Sequence, residues 1–309
     1  MNLDRYVLIF FMDGVGMGAD VADNPFTHAA LPTLTGLFGE GWFLAENGRL
    51  STPTATLIPT DPCLGVPGRP QSATGQATIL SGRNVPQQVG EHYGPKPNEA
   101  IRAAIGEGTL FDEVIAAGGK AAVLSPYPPP YFAAIESGKR LFSAVPLSAH
   151  NAGVRLMTAD DLRAGRAVSP DFTANGWRTM LGYSEMPLLT PAKAGGQLAN
   201  IAADYAFSFF EHWPSDRAGH RGTLEAAVSH LELIAAALGG LIGQWPTQNG
   251  LLIITSDHGN IEDKSHRKHT ESPVPTIVVG ESHDQLAAMV TDLPDIAAVG
   301  RQFLGLKVD

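Results

Sequence analysis

Short apolar runs of strand length recur along the chain, and each is bounded by loop residues. They occupy residues 6–12, 121–124, 205–210, 251–255 and 276–279. Helix-like segments lie between some of them, at 109–119 and 223–242, and the second carries apolar residues spaced by three and four. Continuous apolar strands that alternate with helices predict a mostly parallel sheet covered on both faces. The pattern therefore predicts a three-layer α/β fold, in which ligands collect beyond the C-terminal ends of the strands.

Residues 128–195 have a different pattern. The stretch begins with the three prolines of YPPPYF, and glycines, prolines and short polar pieces interrupt it throughout. We predict that it is a small insertion, which caps a core formed by residues 1–127 and 196–309.

The composition narrows the classes of function. Apolar residues make up 44% of the 309 residues and charged residues 17%, so the chain can bury a sizeable core. The formal net charge of −10 argues against nucleic-acid binding through a broad basic face, because phosphate backbones require clustered Lys and Arg. A small phosphorylated substrate remains compatible, since metal ions can supply positive charge locally.

Two features bear on location. Cys63 is the only cysteine, which rules out an internal disulfide and suits a reducing compartment. The apolar run at residues 6–12 is too short to span a membrane, and no basic leader or small-residue cleavage site accompanies it. We therefore expect a cytoplasmic protein with no membrane partner. No coiled coil or exposed apolar helix in the sequence indicates an oligomeric state.

Potential metal ligands follow three of the predicted strands. In chain order they are Asp13, Asp216, His220, Asp257, His258 and, further downstream, His269. Each alone is a weak signal, because an Asp-Gly pair after a strand is more often a turn and a single histidine is more often a surface residue. At one edge of a parallel sheet these side chains would converge, and divalent cations would neutralise the collected negative charge. Mixed Asp and His ligation suits Zn²⁺ or Mn²⁺ better than Mg²⁺, which favours oxygen ligands.

The stretch PQSATGQATILSG, residues 70–82, contains four hydroxyl side chains at the start of a predicted helix. They belong to Ser72, Thr74, Thr78 and Ser81. A serine at such a position is most often a helix N-cap. A hydroxyl beside a divalent cation could instead act as a nucleophile, because coordination lowers its pKa. The stretch by itself does not decide between these roles.

Taken together, the motifs resemble the alkaline phosphatase superfamily of two-metal enzymes. The nearest resemblance is to the branch that holds cofactor-independent phosphoglycerate mutase and phosphopentomutase. The matching pieces occur in the family's order and are MDGVGMG with NPFTHAALPTL, GVPGRPQSATGQATILSGR, SDRAGH, TSDHGN and KHTESPVP. The resemblance implies a three-layer αβα core of the alkaline phosphatase type.

The resemblance also implies roles for individual residues. One divalent ion would be held by Asp13, Asp257, His258 and the Ser72 oxygen, and the other by Asp216, His220 and His269, with Ser72 able to bridge towards it. The branch has a nucleophilic hydroxyl three positions before a glycine, where Ser72 stands before Gly75. The mutases usually have His after that glycine, whereas this chain has Gln76.

The function implied is a metal-dependent phosphoesterase, acting on monoesters or diesters through a phosphoserine intermediate at Ser72. A phosphomutase is the enzymatic alternative, although residues 128–195 are too few for the large inserted domain of phosphoglycerate mutases. A non-catalytic sensor of a phosphorylated ligand is the alternative from another class. A sulfatase is disfavoured, because CLGVPGR has that family's Cys, Pro and Arg at the wrong spacing.

Four residues are candidates for substrate contacts. Thr74 and Gln76 neighbour the predicted nucleophile, while Arg155 and Arg166 lie in the predicted cap. A solvated surface position is the alternative for each arginine. The cap sequence does not identify the substrate.

Overall fold

The computed structural model describes residues 4–306. Its strands, in chain order, are β1 (Tyr6–Met12), β2 (Leu50–Ser51), β3 (Ala55–Thr60), β4 (Ala121–Val123), β5 (Pro126–Tyr127), β6 (Met157–Thr158), β7 (Phe207–His212), β8 (Gly250–Thr255) and β9 (Val274–Val279). Seven of them form one sheet in the order β2-β3-β9-β8-β1-β7-β4, and β5 pairs with β6 in a separate two-stranded sheet.

Helices cover both faces of the large sheet. They are α1 (Pro32–Phe38), α2 (Ser72–Ser81), α3 (Val85–Val89), α4 (Glu99–Gly106), α5 (Leu110–Ala116), α6 (Pro129–Glu136), α7 (Ala144–Asn151), α8 (Ala159–Arg163), α9 (Asn175–Thr179), α10 (Pro191–Ala202), α11 (Pro214–Arg221), α12 (Leu224–Gln244), α13 (His283–Ala287) and α14 (Pro294–Leu304). Two short 3₁₀ helices occupy Pro25–Thr27 and Ala45–Asn47.

The sheet is mostly but not purely parallel. Strands β1, β4, β7 and β8 run in one direction, whereas β9 is antiparallel to both β8 and β3. Strand β3 therefore shares the direction of the parallel set, and β2 opposes it. The prediction of a mostly parallel sheet is confirmed, with β9 and β2 as the reversed strands.

Alternate residues of β1 enter two different hydrophobic clusters. Leu8 and Phe10 pack with the cluster that contains residues of α10 and α12. Val7, Ile9 and Phe11 pack with the cluster that contains residues of α2, α5 and α14. Since successive side chains of a strand point to opposite faces, the sheet is the middle layer between two helical layers. The predicted three-layer αβα architecture is confirmed.

Helix α12 has the length and composition of a membrane-spanning helix. Its buried side chains, which include Ala227, Leu231 and Leu238, belong to the same cluster as Leu8 and Phe10 of the sheet. One such helix is weak evidence for a membrane span, because core helices of globular domains satisfy the same criteria.

Residues 128–195 contribute to the main core. Phe172 stacks on Phe10 of β1, with ring centroids 6.0 Å apart. Val145 and Ala149 of α7 join the cluster that contains Ile9. The division into a core and a cap at residues 128–195 remains a prediction, and the segment buries side chains against both faces of the sheet.

Buried His212 and half-buried His230 form a pair at the C-terminal end of β7. The Nε2 atoms of His212 and His230 are 2.9 Å apart, and Nδ1 of His212 lies 2.6 Å from the Pro170 carbonyl. Burial lowers the pKa of His230 to about 4, and burial together with the charge of His230 lowers the pKa of His212 well below its usual range. Both imidazoles are therefore neutral in the folded protein at neutral pH.

This pair predicts a specific loss of stability in mild acid. Below about pH 6.5 His230 binds a proton in the unfolded chain, whereas in the folded protein it stays neutral down to about pH 4. The stability of the folded protein therefore falls as the pH falls from about 6.5 to about 4. We expect His230→Gln to reduce the stability lost between about pH 7 and pH 5 by roughly 2 kcal/mol. Urea unfolding of metal-free protein at both pH values measures the difference. An equal loss in the wild type and the variant would contradict this origin.

Candidate metal centre

The predicted metal ligands follow the ends of three adjacent strands. Strand β1 lies between β7 and β8 in the sheet, and the three run parallel, so their C-terminal ends share one edge. Asp13 follows β1, Asp257 and His258 follow β8, and Asp216 lies on α11 directly after β7. The loop between β8 and β9 supplies His269.

Two groups of metal-ligating atoms form at this edge. One consists of Asp13, Asp257 and His258, and the other of Asp216, His258 and His269; within each group the ligand atoms lie within 4.8 Å of one another. His258 is common to both groups, whereas the family resemblance assigned it to the first. The two groups are therefore adjacent and share an imidazole.

His220 completes the cluster. Its Nε2 lies 3.1 Å from Nε2 of His269 and 3.3 Å from Oδ1 of Asp216. The structure thus brings together all six carboxylate and imidazole ligands that the sequence predicts.

In all three histidines Nδ1 lies against a backbone carbonyl, and Nε2 faces the other metal ligands. Nδ1 of His269 lies 2.8 Å from the Pro70 carbonyl, and Nδ1 of His220 lies 2.7 Å from the Arg267 carbonyl. Nδ1 of His258 lies 3.3 Å from the Gly259 carbonyl. A carbonyl only accepts, so each Nδ1 is assigned a proton, and in the neutral imidazole each Nε2 offers its lone pair to a metal ion.

The electrostatics of the first group favour a bound cation. Burial raises the pKa of Asp257 to about 7, and the charge of Asp216 adds to this effect. Burial and the charge of Asp257 raise the pKa of Asp13 well above its usual range, and Oδ1 of Asp13 is buried without a hydrogen-bond partner among residues 4–306. A divalent cation would satisfy that oxygen and offset the repulsion, so the donor set fits a metal ion.

In the second group the Asp216 carboxylate is ionised at neutral pH. Burial alone would raise the pKa of Asp216, but the hydrogen bonds with His269 and Asn260 outweigh it and lower the pKa to about 2. Burial lowers the pKa of His258 to about 3, so its imidazole is neutral. Neutral imidazole and ionised carboxylate are the forms that bind metals.

Ser72 is the first residue of α2 and faces the shared imidazole. Its Oγ lies 3.1 Å from Nε2 of His258. The N-cap position belongs to Gln71, and the Ser72 hydroxyl forms no capping hydrogen bond within the described range. The structure therefore directs this hydroxyl to the metal ligands rather than to the helix end.

Gln76 lies one helical turn after Ser72 and contacts the carboxylates. Its Nε2 donates to Oδ2 of Asp257 at 3.2 Å and to Oδ2 of Asp13 at 3.4 Å. The Gln76 side chain therefore bridges two predicted metal ligands. Its role as a substrate contact stays a prediction.

Thr74 points away from the metal ligands. Its Oγ1 donates to the Gln71 carbonyl at 3.0 Å and accepts from the Tyr93 N–H at 3.2 Å, and the side chain is fully buried. It fastens the loop that contains Tyr93 to the start of α2, and the structure gives it no open surface for a substrate.

Arg155 and Arg166 are not brought to the metal centre. Both form ion pairs with the buried carboxylate of Asp161, at 2.6 and 3.0 Å. Both arginines also interact electrostatically with Tyr205, which lies before the N-terminal end of β7. The metal ligands lie beyond the C-terminal ends of the strands, and β7 is about 17 Å long. Both guanidinium groups therefore offset the charge of Asp161, and their role as substrate contacts stays a prediction.

Sequence analysis gave no role to Glu262. This buried carboxylate accepts from the Gly16 N–H at 2.9 Å and from the Asn260 N–H at 2.8 Å, and it also bonds the Thr270 hydroxyl. It therefore joins the loop after β1, the loop after β8 and the residue that follows His269. Its position just after TSDHGN, beside the predicted metal ligands, was the only indication in the sequence. No spacing rule predicts that a carboxylate there bridges these segments.

Gly75 allows α2 to approach the metal ligands. A Cβ atom at this position would lie 2.8 Å from Cβ of Asp257 and 3.1 Å from its carbonyl oxygen. Gly75→Ala is expected to destabilise the protein by about 1–3 kcal/mol through overpacking and to displace Ser72 from His258. Thermal unfolding measures the loss of stability.

Gly36→Ala is the matched control, because Gly36 is also helical and a Cβ there would meet no atom within 4 Å. Alanine should stabilise that helix by up to about 1 kcal/mol. Equal stabilisation by both substitutions would contradict the close approach of α2.

Comparisons with known proteins bear on the family and the fold. Residues 192–308 match the family model described as the metalloenzyme superfamily. Over 98 residues, 29% of this chain, the sequence is 35% identical to the 2,3-bisphosphoglycerate-independent phosphoglycerate mutase of Thiobacillus denitrificans. That alignment covers 19% of the mutase, so the chain spans only about a fifth of the length of the curated relatives it matches.

The fold is similar to two solved structures over the whole chain. The PH0037 protein from Pyrococcus horikoshii has 16% identity and a TM-score of 0.54, covering 100% of this chain and 99% of that chain. Alkaline phosphatase from the Antarctic bacterium TAB5 has 12% identity and a TM-score of 0.52, covering 100% of both chains. The family match over residues 192–308 and the fold of the whole chain together confirm its resemblance to the metalloenzymes of the alkaline phosphatase superfamily.

Proposed function

We propose that this protein is a metal-dependent phosphoric ester hydrolase, acting on monoesters or diesters with Ser72 as the nucleophile. The observation that carries the proposal is the position of the Ser72 Oγ, 3.1 Å from Nε2 of the imidazole that two adjacent ligand groups share. A protein that only bound a phosphorylated ligand would have no need of a hydroxyl held against its metal ligands.

The donor set supports two divalent ions, Mn²⁺ or Zn²⁺. Asp13, Asp257 and His258 would hold one ion, and Asp216, His220 and His269 the other, with the Ser72 oxygen near both. The bound ions would lower the pKa of the serine hydroxyl and offset the negative charge of the phosphate.

The chain's own groups then perform the transfer. The Ser72 oxygen forms a bond to phosphorus while the bond between phosphorus and the leaving alcohol oxygen breaks, which produces phosphoserine. Ser72 begins α2, so backbone N–H groups of the first helical turn face the transferred phosphate. Water then attacks the phosphorus while its bond to the Ser72 oxygen breaks, which releases inorganic phosphate from a monoester substrate or a phosphate monoester from a diester substrate.

A phosphomutase is the second candidate, and the curated relatives support it because they are phosphoglycerate mutases. In that case a substrate hydroxyl, rather than water, would accept the phosphoryl group from Ser72. Both candidates take a small phosphorylated substrate.

Turnover assays separate the candidates. Purified protein with added Mn²⁺ or Zn²⁺ is expected to release alcohol and inorganic phosphate from an aryl phosphate, or to cleave an aryl phosphodiester. Conversion of a phosphosugar or phosphoacid to its isomer, without phosphate release, would favour the mutase. Tight binding of phosphate esters with no turnover would contradict both and favour a sensor.

A further inference from the structure

A second polar cluster lies beside the metal ligands on the β4 side of the sheet. Glu211 is the second-last residue of β7 and pairs in register with Phe11 of β1, two residues before Asp13. Phe11 and Phe209 share a hydrophobic cluster, and alternation puts Glu211 and Asp13 on that same face, which also carries α2. The Cα atoms of Asp13 and Glu211 are therefore about 8 Å apart.

One oxygen of the Glu211 carboxylate accepts a hydrogen bond, and the other is without a donor among the described residues. The Tyr127 hydroxyl donates to Oε2, and the Ser125 Oγ accepts from the Glu211 N–H at 2.9 Å. Only 9% of the Glu211 surface is exposed, and no described group donates to Oε1. Burial raises the pKa of this carboxyl to about 7, against the opposing effects of Tyr127 and Lys96.

Tyr131 places an unpartnered hydroxyl in the same cluster. The residue is 7% exposed, and its Oη is buried without a hydrogen-bond partner among residues 4–306. Its ring packs on that of Tyr127 with centroids 4.6 Å apart, and the Arg140 guanidinium lies 4.8 Å from the ring centre. An unsatisfied buried hydroxyl is costly, so the position favours a ligand that supplies the missing bond.

Lys96 connects this cluster to the nucleophile. It lies two residues after Gly94, and a Cβ atom at Gly94 would lie 3.2 Å from the backbone nitrogen of Ser72. The Lys96 ammonium interacts electrostatically with Glu211 and Arg140, and no carboxylate in the described part of the chain pairs with it at ion-pair distance. The cluster thus adjoins the serine that would receive the phosphoryl group.

We propose that Lys96, Tyr127, Tyr131 and Glu211 form the subsite for the leaving alcohol of the phosphate ester, and that this alcohol carries at least one further hydroxyl group. The proposal rests on the proposed function. Glu211 Oε1 accepts a hydrogen bond from a substrate hydroxyl, while the Tyr131 hydroxyl and the Lys96 ammonium donate to substrate oxygens. Lys96 and Arg140 disfavour leaving groups that carry an ammonium.

The test compares kcat/KM for ribitol phosphate with kcat/KM for nitrophenyl phosphate. Wild-type enzyme is expected to favour the polyol ester. Tyr131→Phe and Glu211→Gln are expected to lower the ratio of the two values roughly 10-fold, because each removes a hydrogen bond to the polyol. Lys96→Gln, at a half-buried position, tests the same subsite without altering the packed core.

Tyr183→Phe is the matched control, because Tyr183 packs on Trp177 in residues 159–186, apart from this cluster. It should leave the ratio at the wild-type value. An unchanged ratio in the Tyr131, Glu211 and Lys96 variants would overturn the subsite while leaving ester hydrolysis established. A wild-type preference for phosphocholine over ribitol phosphate would overturn the hydroxylated leaving group.

Calorimetric binding of ribitol phosphate to Ser72→Ala protein tests the subsite independently of turnover. Adding Tyr131→Phe to that variant should weaken binding roughly 10-fold. Should wild-type protein hydrolyse no ester, this binding difference still supports the subsite, and its absence overturns it.

Discussion

Replacing Ser72 with alanine is expected to reduce ester hydrolysis by roughly four orders of magnitude or more, because no other side chain supplies the attacking oxygen. The carboxylates and imidazoles of both ligand groups stay in place, so the variant should keep its metal ions. Steady-state kinetics and metal analysis of the same preparation measure both results.

Ser81→Ala is the matched control for this experiment. Ser81 is buried at the other end of α2, where its Oγ accepts from the Arg83 N–H at 3.2 Å. Its removal should leave turnover close to the wild-type rate. An active Ser72→Ala enzyme with its metal retained would show that another group is the nucleophile.

Two single substitutions, each removing a carboxylate from one ligand group, are each expected to eliminate the ion of that group. Asp257→Asn affects the first group and Asp216→Asn the second, and each should weaken binding of its own ion roughly 100-fold or more. The wild-type protein should hold two ions per chain at saturation. Metal analysis after exhaustive dialysis gives the stoichiometry of each variant.

Thermal unfolding gives an independent readout of the same sites. Metal at about 100 times the Kd of each site should stabilise wild-type protein by about 2.7 kcal/mol per bound ion, and a chelator should remove that stabilisation. Asp204→Asn changes an exposed carboxylate before β7 and should retain both ions. A wild-type protein that saturates with fewer than two ions would contradict the two-site assignment.

The strand-end ligands were predictable because their positions follow from the sheet itself. Strand β1 spans the predicted apolar run residue for residue, and Asp13 follows it directly. Once strands are parallel, polar residues that follow them must meet at one edge. The spacing along α2 carries information of the same kind, since Ser72 and Gln76 are one turn apart and share a face, while Thr74 turns away.

Contacts between residues distant in sequence were not predictable in this way. The sequence analysis found neither β3 nor the reversal of β9, because an apolar run carries no signal of its direction. The interaction of Arg155 and Arg166 with Asp161 depends on the folded path of residues 155–166. Glu262 and the Glu211 subsite likewise depend on which loops and strands become neighbours.

The central claim is that Ser72 carries the phosphoryl group during turnover. The most direct test is to mix metal-loaded enzyme with an aryl phosphate, quench the reaction in acid during the first turnover, and locate the phosphoryl group by peptide mass spectrometry. We predict phosphoserine at Ser72 and at no other position. Rapid turnover with no phosphorylated peptide, or a phosphoryl group on a different residue, would contradict the claim.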